Sequence, residues 1–389
     1  MNWLNRTASE NFAELQVIRH DLHAHPELQF EEHRTSAIVV KELARHGIEV
    51  TPGIAGTGVV GTIRSGTSRK SIGIRADMDA LPIHETTNLP YASKALGKMH
   101  ACGHDGHTTI LLGLARKLAA ERNFDGTVHL IFQPAEEDIS GAKRMIAEGL
   151  FKRFPCDGVF ALHNLPGQPV GQVTVRPGAI TACVDIVNVV IRGVGGHGAL
   201  PHLAVDPIVA ASGVVMALQS IVARNLDPLD PAVITVGAFN AGSMATAIPT
   251  EAHLQIGVRT CTEDVRALMK RRITEVIGSQ AKSFGCEADI QYGHGYSYPP
   301  GHNAPSLAAV VREVALDLGQ KPADIDIKGP YMFSEDFAYM QQTVPGCFLG
   351  MGNGDSRGLH DSGYDFNDDL LEKAPAFWAK LVEKMLPRS

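Results

Sequence analysis

The chain has 389 residues, which is long enough for two or three domains with a sizeable hydrophobic core. A hydrophobic content of 44% with 20% charged residues excludes a fibrous or an intrinsically disordered protein. The formal net charge of −7 argues against nucleic acid or an anionic membrane surface as the main partner.

The sequence also favours a cytoplasmic protein that does not contact a membrane. Residues 1–10 lack a basic region followed by an apolar core, so we expect no secretory signal. The longest apolar segment, 207–223, is interrupted by three polar residues and predicts a buried helix rather than a membrane span. Six cysteines occur without a Cys-x-x-Cys pair, which favours a reducing compartment over a disulfide framework.

The first predicted element is a helix in which Phe12, Leu15, Ile18 and Leu22 recur at helical spacing. It leads into His23-Ala-His-Pro-Glu-Leu-Gln-Phe-Glu-Glu-His33, whose three histidines are candidate metal ligands. We expect these histidines instead to support the core or to lie on the surface.

Two short strands follow at 58–63 and 71–75, and the second leads directly into Arg75-Ala-Asp-Met-Asp79. Asp77 and Asp79 bracket one residue just beyond this strand. From there a carboxylate can bind a metal ion or orient a histidine ligand, and we assign the orienting role to Asp79. For Asp77, the capping of a turn is an equal alternative.

The stretch Met99-His-Ala-Cys-Gly-His-Asp-Gly-His-Thr-Thr109 concentrates three histidines, one cysteine and one aspartate. Imidazole and thiolate hold transition metals such as zinc. Because Cys102 and His104 are only two residues apart, they cannot share a helix face, and we expect a loop to present them. A helical run follows, which places the cluster at a helix N-terminus, where a thiolate is favoured. A polar helix cap is the alternative interpretation.

Carboxylates and histidines also follow three further predicted strands. Gln133-Pro-Ala-Glu-Glu137 comes after the strand 127–132, and one glutamate can bind a metal ion while its neighbour acts as a general base. His163 follows the strand 158–162, and His360 lies in a glycine-rich loop after the last predicted strand. A solvated Glu-Glu pair is the alternative for the two glutamates.

The alternation of strands and helices predicts an α/β fold with a largely parallel sheet flanked by helices. In such sheets, ligands gather at the carboxyl edge of the strands. We therefore expect one metal site at that edge, formed by Cys102 and His104 together with the residues at the strand ends, namely Asp77, Asp79, Glu136, Glu137, His163 and His360.

The segment from about 183 to 292 has a different order of elements, β-α-β-β-α-β, which is typical of a ferredoxin-like α+β unit. Strand–helix alternation resumes after it, so we expect an inserted satellite domain. The predicted boundaries assign 1–181 to the first part of a catalytic domain, 182–295 to the insert, and 296–389 to the second part of the catalytic domain.

Two residues of the insert are candidates for substrate binding. His197 sits among glycines, where the backbone leaves room for a ligand. Arg259 lies on the opposite face of a predicted strand from Leu254, Ile256 and Val258, so its guanidinium is available to pair with a carboxylate. A solvated loop histidine and a surface salt bridge are the alternatives.

The chain resembles the amidohydrolase branch of the M20 metallopeptidases, which includes hippurate hydrolases, N-acyl-amino-acid amidohydrolases and indole-acetyl-amino-acid hydrolases. The resemblance runs nearly end to end. It is carried by motifs in the family's order: His23-Ala-His-Pro-Glu-Leu, Arg75-Ala-Asp-Met-Asp-Ala-Leu-Pro, Met99-His-Ala-Cys-Gly-His-Asp-Gly-His, Gln133-Pro-Ala-Glu-Glu, His163-Asn, Gly195-Gly-His-Gly-Ala, Phe333-Ser-Glu-Asp-Phe and Leu359-His360.

The resemblance implies a metal-dependent amidohydrolase of the aminoacylase type, which splits N-acyl amino acids into a carboxylic acid and an amino acid. Glu136 would be the general base, His197 would stabilise the oxyanion, and Arg259 would hold the substrate's carboxylate. A homodimer through the insert, or a tetramer, is also implied. Two divalent ions of zinc, manganese, nickel or cobalt would be held, with a bridging thiolate, by Cys102, His104, Glu137, His163 and His360.

One residue departs from the family pattern. The family commonly has Asn-Val-Ile-Pro in the insert, where the asparagine helps to bind substrate, whereas this chain has Thr246-Ala-Ile-Pro249. A threonine hydroxyl is shorter and lacks the paired donor and acceptor of an amide. Thr246 therefore stays a substrate-binding candidate with no firm role.

Three other functions remain open. A dipeptidase or carboxypeptidase of the same fold is the first, and a binding protein with a decayed metal site is the second. The third is a metal-independent cysteine hydrolase in which His104 or His107 serves Cys102 as the base. This third function leaves the glutamate pair, His163 and His360 without a purpose.

Overall fold

A computed structural model describes residues 8–137 and 141–388, without the side chains of 8–10 and 294–296. The prediction of no secretory signal rests largely on residues 1–7, which lie outside the described residues.

The described chain divides into two compact units. The first runs to Ile180 and continues over His302–Gly329 and from Asp336 onward, and the second comprises Thr181–Gly301 and Pro330–Glu335. The predicted insert, 182–295, falls inside the second unit. The short segment Pro330–Glu335 joins this unit because Ala182 donates backbone hydrogen bonds to the carbonyls of Tyr331 and Phe333, a long-range pairing that local patterns do not reveal.

The helices and strands follow one another in a regular order. The first unit begins with α1 (Ala8–Ala24), α2 (His33–Arg45), β1 (Glu49–Ile54), β2 (Gly58–Ser65), β3 (Ser71–Asp77), α3 (His104–Glu121), β4 (Gly126–Gln133), α4 (Gly141–Ala147), α5 (Leu150–Arg153), β5 (Gly158–Pro166), β6 (Val173–Thr174) and β7 (Gly178–Thr181). The second unit contributes β8 (Val184–Arg192), β9 (Gly196–His197), α6 (Pro207–Asn225), β10 (Ala232–Ala241), β11 (Ala247–Ile248), β12 (Glu251–Thr260), α7 (Glu263–Ser283) and β13 (Glu287–Tyr298). The chain continues with β14 (Gly301–Asn303), α8 (Pro305–Asp317), α9 (Pro322–Ile325), α10 (Phe337–Thr343), β15 (Gly346–Gly354) and α11 (Leu370–Met385).

A seven-stranded sheet forms the centre of the first unit, in the order β1-β2-β4-β3-β5-β15-β6. The central strands β4, β3, β5 and β15 are parallel, with Ile74 opposite both Leu130 and Phe160. In contrast, β1, β2 and β6 pair in antiparallel fashion. The sheet is therefore mixed, and the expectation of a largely parallel sheet holds only for its centre. The connection between β1 and β2 is too short for the crossover that a parallel pair needs, so these two strands form an antiparallel hairpin.

The four parallel strands are those from which the predicted site residues arise. Asp77 is the last residue of β3, and β4 ends at Gln133, three residues before Glu136. His163 lies inside β5 rather than after it, and β15 leads into the loop that carries His360. Parallel strands place these positions at one edge of the sheet.

Helices flank the sheet and bury its apolar side chains, and every residue of β3 is buried. Helix α3 packs against α1 and α11, and α11 also packs against α8. Helix α4 contacts α10. The rings of Phe160 on β5 and Trp378 on α11 meet edge to face with centroids 6.5 Å apart. The strands that carry the site residues are therefore packed tightly against the flanking helices.

The second unit is built on a four-stranded antiparallel sheet in the order β10-β12-β8-β13. With α6 and α7 this sheet has the predicted β-α-β-β-α-β sequence of elements. Burial alternates along β12, where Leu254, Ile256 and Val258 face the core as predicted. Thr262 accepts a hydrogen bond from the Val265 N–H and so caps α7, also as predicted.

Helix α6 is long and apolar enough to cross a membrane by length and composition, with one-third of that window buried. Within the second unit, Ala210, Val214, Leu218 and Ile221 recur along one side of α6 and enter the core. This spacing is typical of a helix that packs against a sheet.

Candidate metal centre

The loop before α3 depends on two glycines. Gly103 has a φ of +86°, and a Cβ there would lie 2.5 Å from both the Asn164 amide nitrogen and the Tyr364 hydroxyl. A Cβ on Gly106 would lie 2.4 Å from the Phe366 ring. Only glycine fits both positions without displacement of buried groups. The two glycines thus let α3 begin at His104. The loop therefore presents Cys102 alone, and the prediction that it also presents His104 is wrong, because His104 is the first residue of the helix.

Cys102, His104 and His163 form one group of converging ligand atoms in the interior, and all three lie within 4.8 Å of one another. The Cys102 Sγ lies 3.4 Å from the His163 Nε2. The His163 Nδ1–H donates to the Asn164 carbonyl at 2.8 Å, which leaves the Nε2 lone pair directed at the cysteine.

A second group shares the cysteine and consists of Cys102, Glu137 and His360. The His360 Nε2 lies 3.3 Å from the Glu137 Oε1. His360 has a left-handed backbone with φ of +64°, and its N–H donates to the Ala101 carbonyl at 2.8 Å. A non-glycine residue in this conformation needs such support, and strain of this kind concentrates at functional sites.

Asp79 contacts two of the candidate ligands, His104 and Glu137. The His104 Nδ1–H donates to the Asp79 carbonyl at 2.9 Å, and the Asp79 Oδ1 lies 3.2 Å from the same nitrogen. The Asp79 Oδ2 accepts a hydrogen bond from the Glu137 N–H at 2.9 Å. When His104 is neutral, as a metal ligand must be, these contacts keep its proton on Nδ1 and its lone pair on Nε2.

Two buried atoms at the centre of this cluster have no hydrogen-bond partner among the described residues, namely the His104 Nε2 and the Glu137 Oε1. They lie 4.0 Å apart. Buried polar atoms are almost always satisfied, so a facing pair without partners indicates a missing ligand. Imidazole nitrogen, carboxylate oxygen and thiol sulfur are the donor set of zinc and related ions. The residues therefore fit a divalent metal ion.

His107 is not available as a ligand or a base. Its Nε2 accepts a hydrogen bond from the Asn164 N–H at 3.0 Å, so its Nδ1 carries the proton and donates to the Asp77 Oδ1 at 2.6 Å. Asn164 in turn donates to the Cys102 carbonyl at 2.7 Å and accepts from the Tyr364 hydroxyl at 2.8 Å. These contacts hold the cysteine loop in place.

Comparison with known proteins places the chain in a family. The model of peptidase family M20/M25/M40 matches residues 73–384. This chain belongs to that family.

Relatives and solved structures agree with this assignment over nearly the whole chain. A hippurate hydrolase of Campylobacter jejuni is 43% identical over 96% of this chain and 97% of its own length. An N-acetyl-L-cysteine deacetylase of Bacillus subtilis is 38% identical over 95% of this chain and 87% of its own length. The structure of the Bacillus subtilis YXEP protein, a dinuclear metal-binding peptidase of the M20 family, superposes with a TM-score of 0.85 at 32% identity, covering 97% of this chain and 99% of that one.

Charges around the M20 site shift the pKa values of its ligands. Burial, together with Glu137, Glu136 and Asp77, raises the pKa of the Cys102 thiol well above its usual value. In the protein without metal, burial and these carboxylates therefore favour the thiol, whereas the position at a helix N-terminus was expected to favour the thiolate. Burial lowers the pKa of His104, but Asp77, Asp79 and Glu137 outweigh it and raise that pKa to about 10.

A buried polar network that the sequence analysis did not anticipate lies behind the glutamates. The Arg75 guanidinium donates to Asp77 at 2.6 Å, to the Gln133 Oε1 at 2.9 Å and to Asp336 at 3.0 Å. The Asp336 N–H contacts the Glu136 Oε1 at 3.3 Å. Arg75, Gln133 and Asp336 belong to motifs that carried the family resemblance. Their presence in these motifs is the signal by which the sequence could have pointed to them. Asp77 is a partner of this network and of His107.

Of the histidines of the first segment, His23 supports the buried interior and His33 lies exposed on the surface, which are the two roles expected. The His23 ring is fully buried, and its Nδ1 lies 2.9 Å from the Asp105 carboxylate. Although burial lowers the pKa of His23, Asp105 and Glu85 raise it to about 9.

The second unit brings His197 and Thr246 together. His197 on β9 pairs with Ala247 on β11, and the Gly198 N–H donates to the Thr246 carbonyl at 2.8 Å. The His197 Nδ1 accepts from the Ala199 N–H at 3.1 Å, which leaves the proton on an exposed Nε2.

Arg259 is half-buried, and its Nη1 donates to the Met332 carbonyl at 3.1 Å and to the Ser334 hydroxyl at 3.0 Å. Within the described part of the chain it forms no ion pair, which removes the surface salt bridge as an explanation. Its guanidinium is held by neutral acceptors and keeps its charge for another partner.

Proposed function

We propose that this chain hydrolyses the amide bond of N-acyl amino acids with two divalent metal ions, releasing a carboxylic acid and a free amino acid. The observation that carries the proposal is the buried pair of atoms on His104 and Glu137 that have no hydrogen-bond partner among the described residues, surrounded by Cys102, His163 and His360. Membership of the M20 family supports it, as do the activities in the names of the hippurate hydrolase and the N-acetyl-L-cysteine deacetylase.

The two ligand groups share Cys102, which supports its role as a ligand common to both ions. His104 and His163 lie in one group, and Glu137 and His360 lie in the other. When bound, zinc, manganese, nickel or cobalt ions supply Lewis-acid chemistry to the site. Asp79 orients His104 and Glu137 toward them.

Glu136 is the general base in this proposal. Its side chain is buried, next to the ligand Glu137, and its Oε1 faces the Asp336 N–H. Glu136 takes a proton from the water that attacks the amide carbon and then delivers that proton to the leaving nitrogen as the C–N bond breaks. One glutamate thus binds metal while its neighbour moves the proton.

His197, Arg259 and Thr246 complete the proposal in the second unit. The exposed Nε2–H of His197 is a suitable donor to the oxyanion that forms on the substrate. The Arg259 guanidinium binds the carboxylate of the amino-acid part. Thr246 directly precedes β11, the strand that pairs with β9 and His197. It is a weaker candidate for contact with the substrate.

Replacement of Arg259 by Ala is expected to lower kcat/KM for hippurate by about 10- to 100-fold, the size of one charge-assisted hydrogen bond. The primary amide of hippurate, which lacks the carboxylate, should lose far less. Arg192→Ala is the matched control, because Arg192 is an exposed arginine of the same sheet that pairs with Glu251. Equal losses for acid and amide would remove the carboxylate role from Arg259.

The function itself is tested with a panel led by hippurate and N-acetyl-methionine, with simple dipeptides to detect a dipeptidase. Each substrate is assayed with the protein as purified, after chelation, and after addition of zinc, manganese, cobalt or nickel. We expect activity on the N-acyl amino acids that is lost on chelation and restored by metal. Chelator-insensitive turnover would revive the cysteine hydrolase, and tight ligand binding without turnover would favour a decayed site.

The proposal includes a cytoplasmic enzyme that acts as a homodimer, or a tetramer, through the second unit. Six free cysteines support the reducing compartment. Exposed apolar side chains of this unit, among them Met216 and Leu203, support self-association. A monomer across the working concentration range in sedimentation velocity would contradict the dimer, and fractionation of the source cells would test the compartment.

A further inference from the structure

The backbone that leads to Glu136 is held in an unfavourable conformation. Ala135, the residue directly before it, has a left-handed φ of +51°. In this region the Cβ of an L-residue crowds the backbone, so alanine adopts it only where surrounding contacts impose it. Its N–H must therefore be held by a specific partner.

That partner is Glu32, a fully buried glutamate that belongs to none of the candidate ligand groups. The Glu32 Oε1 accepts hydrogen bonds from the Ala135 N–H at 2.9 Å and from the Phe30 N–H at 3.0 Å. Phe30 is also left-handed, with a φ of +60°. The Glu32 Oε2 accepts from the Thr57 hydroxyl at 2.5 Å. One carboxylate oxygen thus connects two strained residues that are far apart in the sequence.

The burial of this carboxylate is costly, because its partners are neutral donors rather than a cation. Burial raises the pKa of Glu32 to about 7, and the Asp79 charge adds to that effect, while the Thr57 and Ala135 hydrogen bonds oppose it. Because burial of the Glu32 carboxylate is unfavourable and its Oε1 accepts backbone hydrogen bonds, we attribute to Glu32 a specific role beyond packing. Its neighbour Glu31 is exposed, so a pattern of two adjacent glutamates could not have distinguished them.

We propose that Glu32 is a positioning residue of the enzyme, which holds the Ala135 backbone so that Glu136 and Glu137 leave β4 in their working places. The inference rests on the proposed function of Glu136. Glu32 holds this loop at Ala135, and Asp79 holds it at the Glu137 N–H. Between these two points the base has little freedom, which is the preorganisation that proton transfer requires.

Glu32→Met and Glu32→Gln test the proposal as a pair, because both keep the side-chain length but only Gln keeps an acceptor oxygen. The matched control is Glu27→Met. Glu27 also accepts two backbone N–H groups, from Arg34 and Thr35, but they belong to α2 and not to the catalytic loop. Thermal unfolding of all variants measures the general loss of stability.

Amide hydrogen exchange of the metal-free protein is the first measurement. In Glu32→Met the Ala135 amide should exchange roughly 10- to 100-fold faster, as expected for a lost hydrogen bond to a charged group. Glu32→Gln should show a smaller change, and Glu27→Met none at this position. The proposal would be overturned if the Ala135 amide of Glu32→Met exchanged at the wild-type rate, or if it exchanged equally fast in Glu32→Met and Glu32→Gln.

Kinetics under saturating metal form the second measurement. Glu32→Met should lower kcat by about 10- to 100-fold with little change in KM, because a small displacement of a catalytic group is costly. Glu32→Gln should recover most of that loss, and Glu27→Met should keep kcat even if it unfolds earlier. A rise in KM alone, or parallel loss in Glu27→Met, would overturn the positioning role. If the wild type hydrolyses no N-acyl amino acid, the proposed function fails, and the exchange data alone decide whether Glu32 holds Ala135.

Discussion

Glu136→Gln is expected to lower kcat by about 10²–10⁴-fold and to leave bound metal unchanged, since the base moves protons but holds no ion. Gln keeps the shape of the side chain and an oxygen for the Asp336 N–H, so the loop should not move. Turnover of an N-acyl amino acid and metal content by mass spectrometry are the two measurements.

Glu137→Gln is the matched comparison, because it makes the same chemical change one residue along the chain. Glu137 faces His104 and His360, so its substitution should reduce bound metal as well as turnover. The two variants therefore separate a base from a ligand. Near-normal turnover of Glu136→Gln, or metal loss equal to that of Glu137→Gln, would contradict the assignment of Glu136.

Cys102→Ser is expected to lower both metal affinity and activity by about 10²-fold or more, because a serine hydroxyl is a far weaker ligand than a thiolate and Cys102 lies in both ligand groups. The cobalt-loaded protein offers a direct measurement, since the thiolate–cobalt charge-transfer absorption should disappear. Cys347→Ala is the control, because Cys347 is a buried free cysteine of β15 outside the ligand groups. Retention of that absorption in Cys102→Ser would disprove the thiolate ligand.

The raised pKa of Cys102 adds a pH dependence to this prediction. At neutral pH the protein without metal holds a proton on the Cys102 thiol and another on His104, whose pKa lies at about 10. Metal binding must release these protons, so affinity should rise with pH through the neutral range. Calorimetry in buffers of different ionisation enthalpy counts the protons, and Cys102→Ser should release fewer. An affinity that is flat or falls with pH would contradict this account.

The sequence by itself determined the elements that bear the chemistry. Thiol, imidazole and carboxylate side chains recur at the ends of apolar strands, and strand–helix alternation brings such ends to one edge of a sheet. This logic is local and needs only periodicity and residue type. It placed Cys102, Glu137 and His360 near one another, and the β-α-β-β-α-β order of the second unit likewise follows from periodicity alone.

Only the tertiary structure decided which of several similar residues do which work. His104 and His107 look alike in the sequence, yet both nitrogens of His107 are committed to Asp77 and Asn164, whereas the His104 Nε2 has no hydrogen-bond partner among the described residues. Glu31 and Glu32 differ in the same way, by burial and partners that come from distant parts of the chain. The protonation of Cys102 also depends on the tertiary structure, because burial and three carboxylates from other parts of the chain raise the pKa of its thiol. Such distinctions depend on long-range contacts and on the electrostatics of the interior, to which a local pattern is blind.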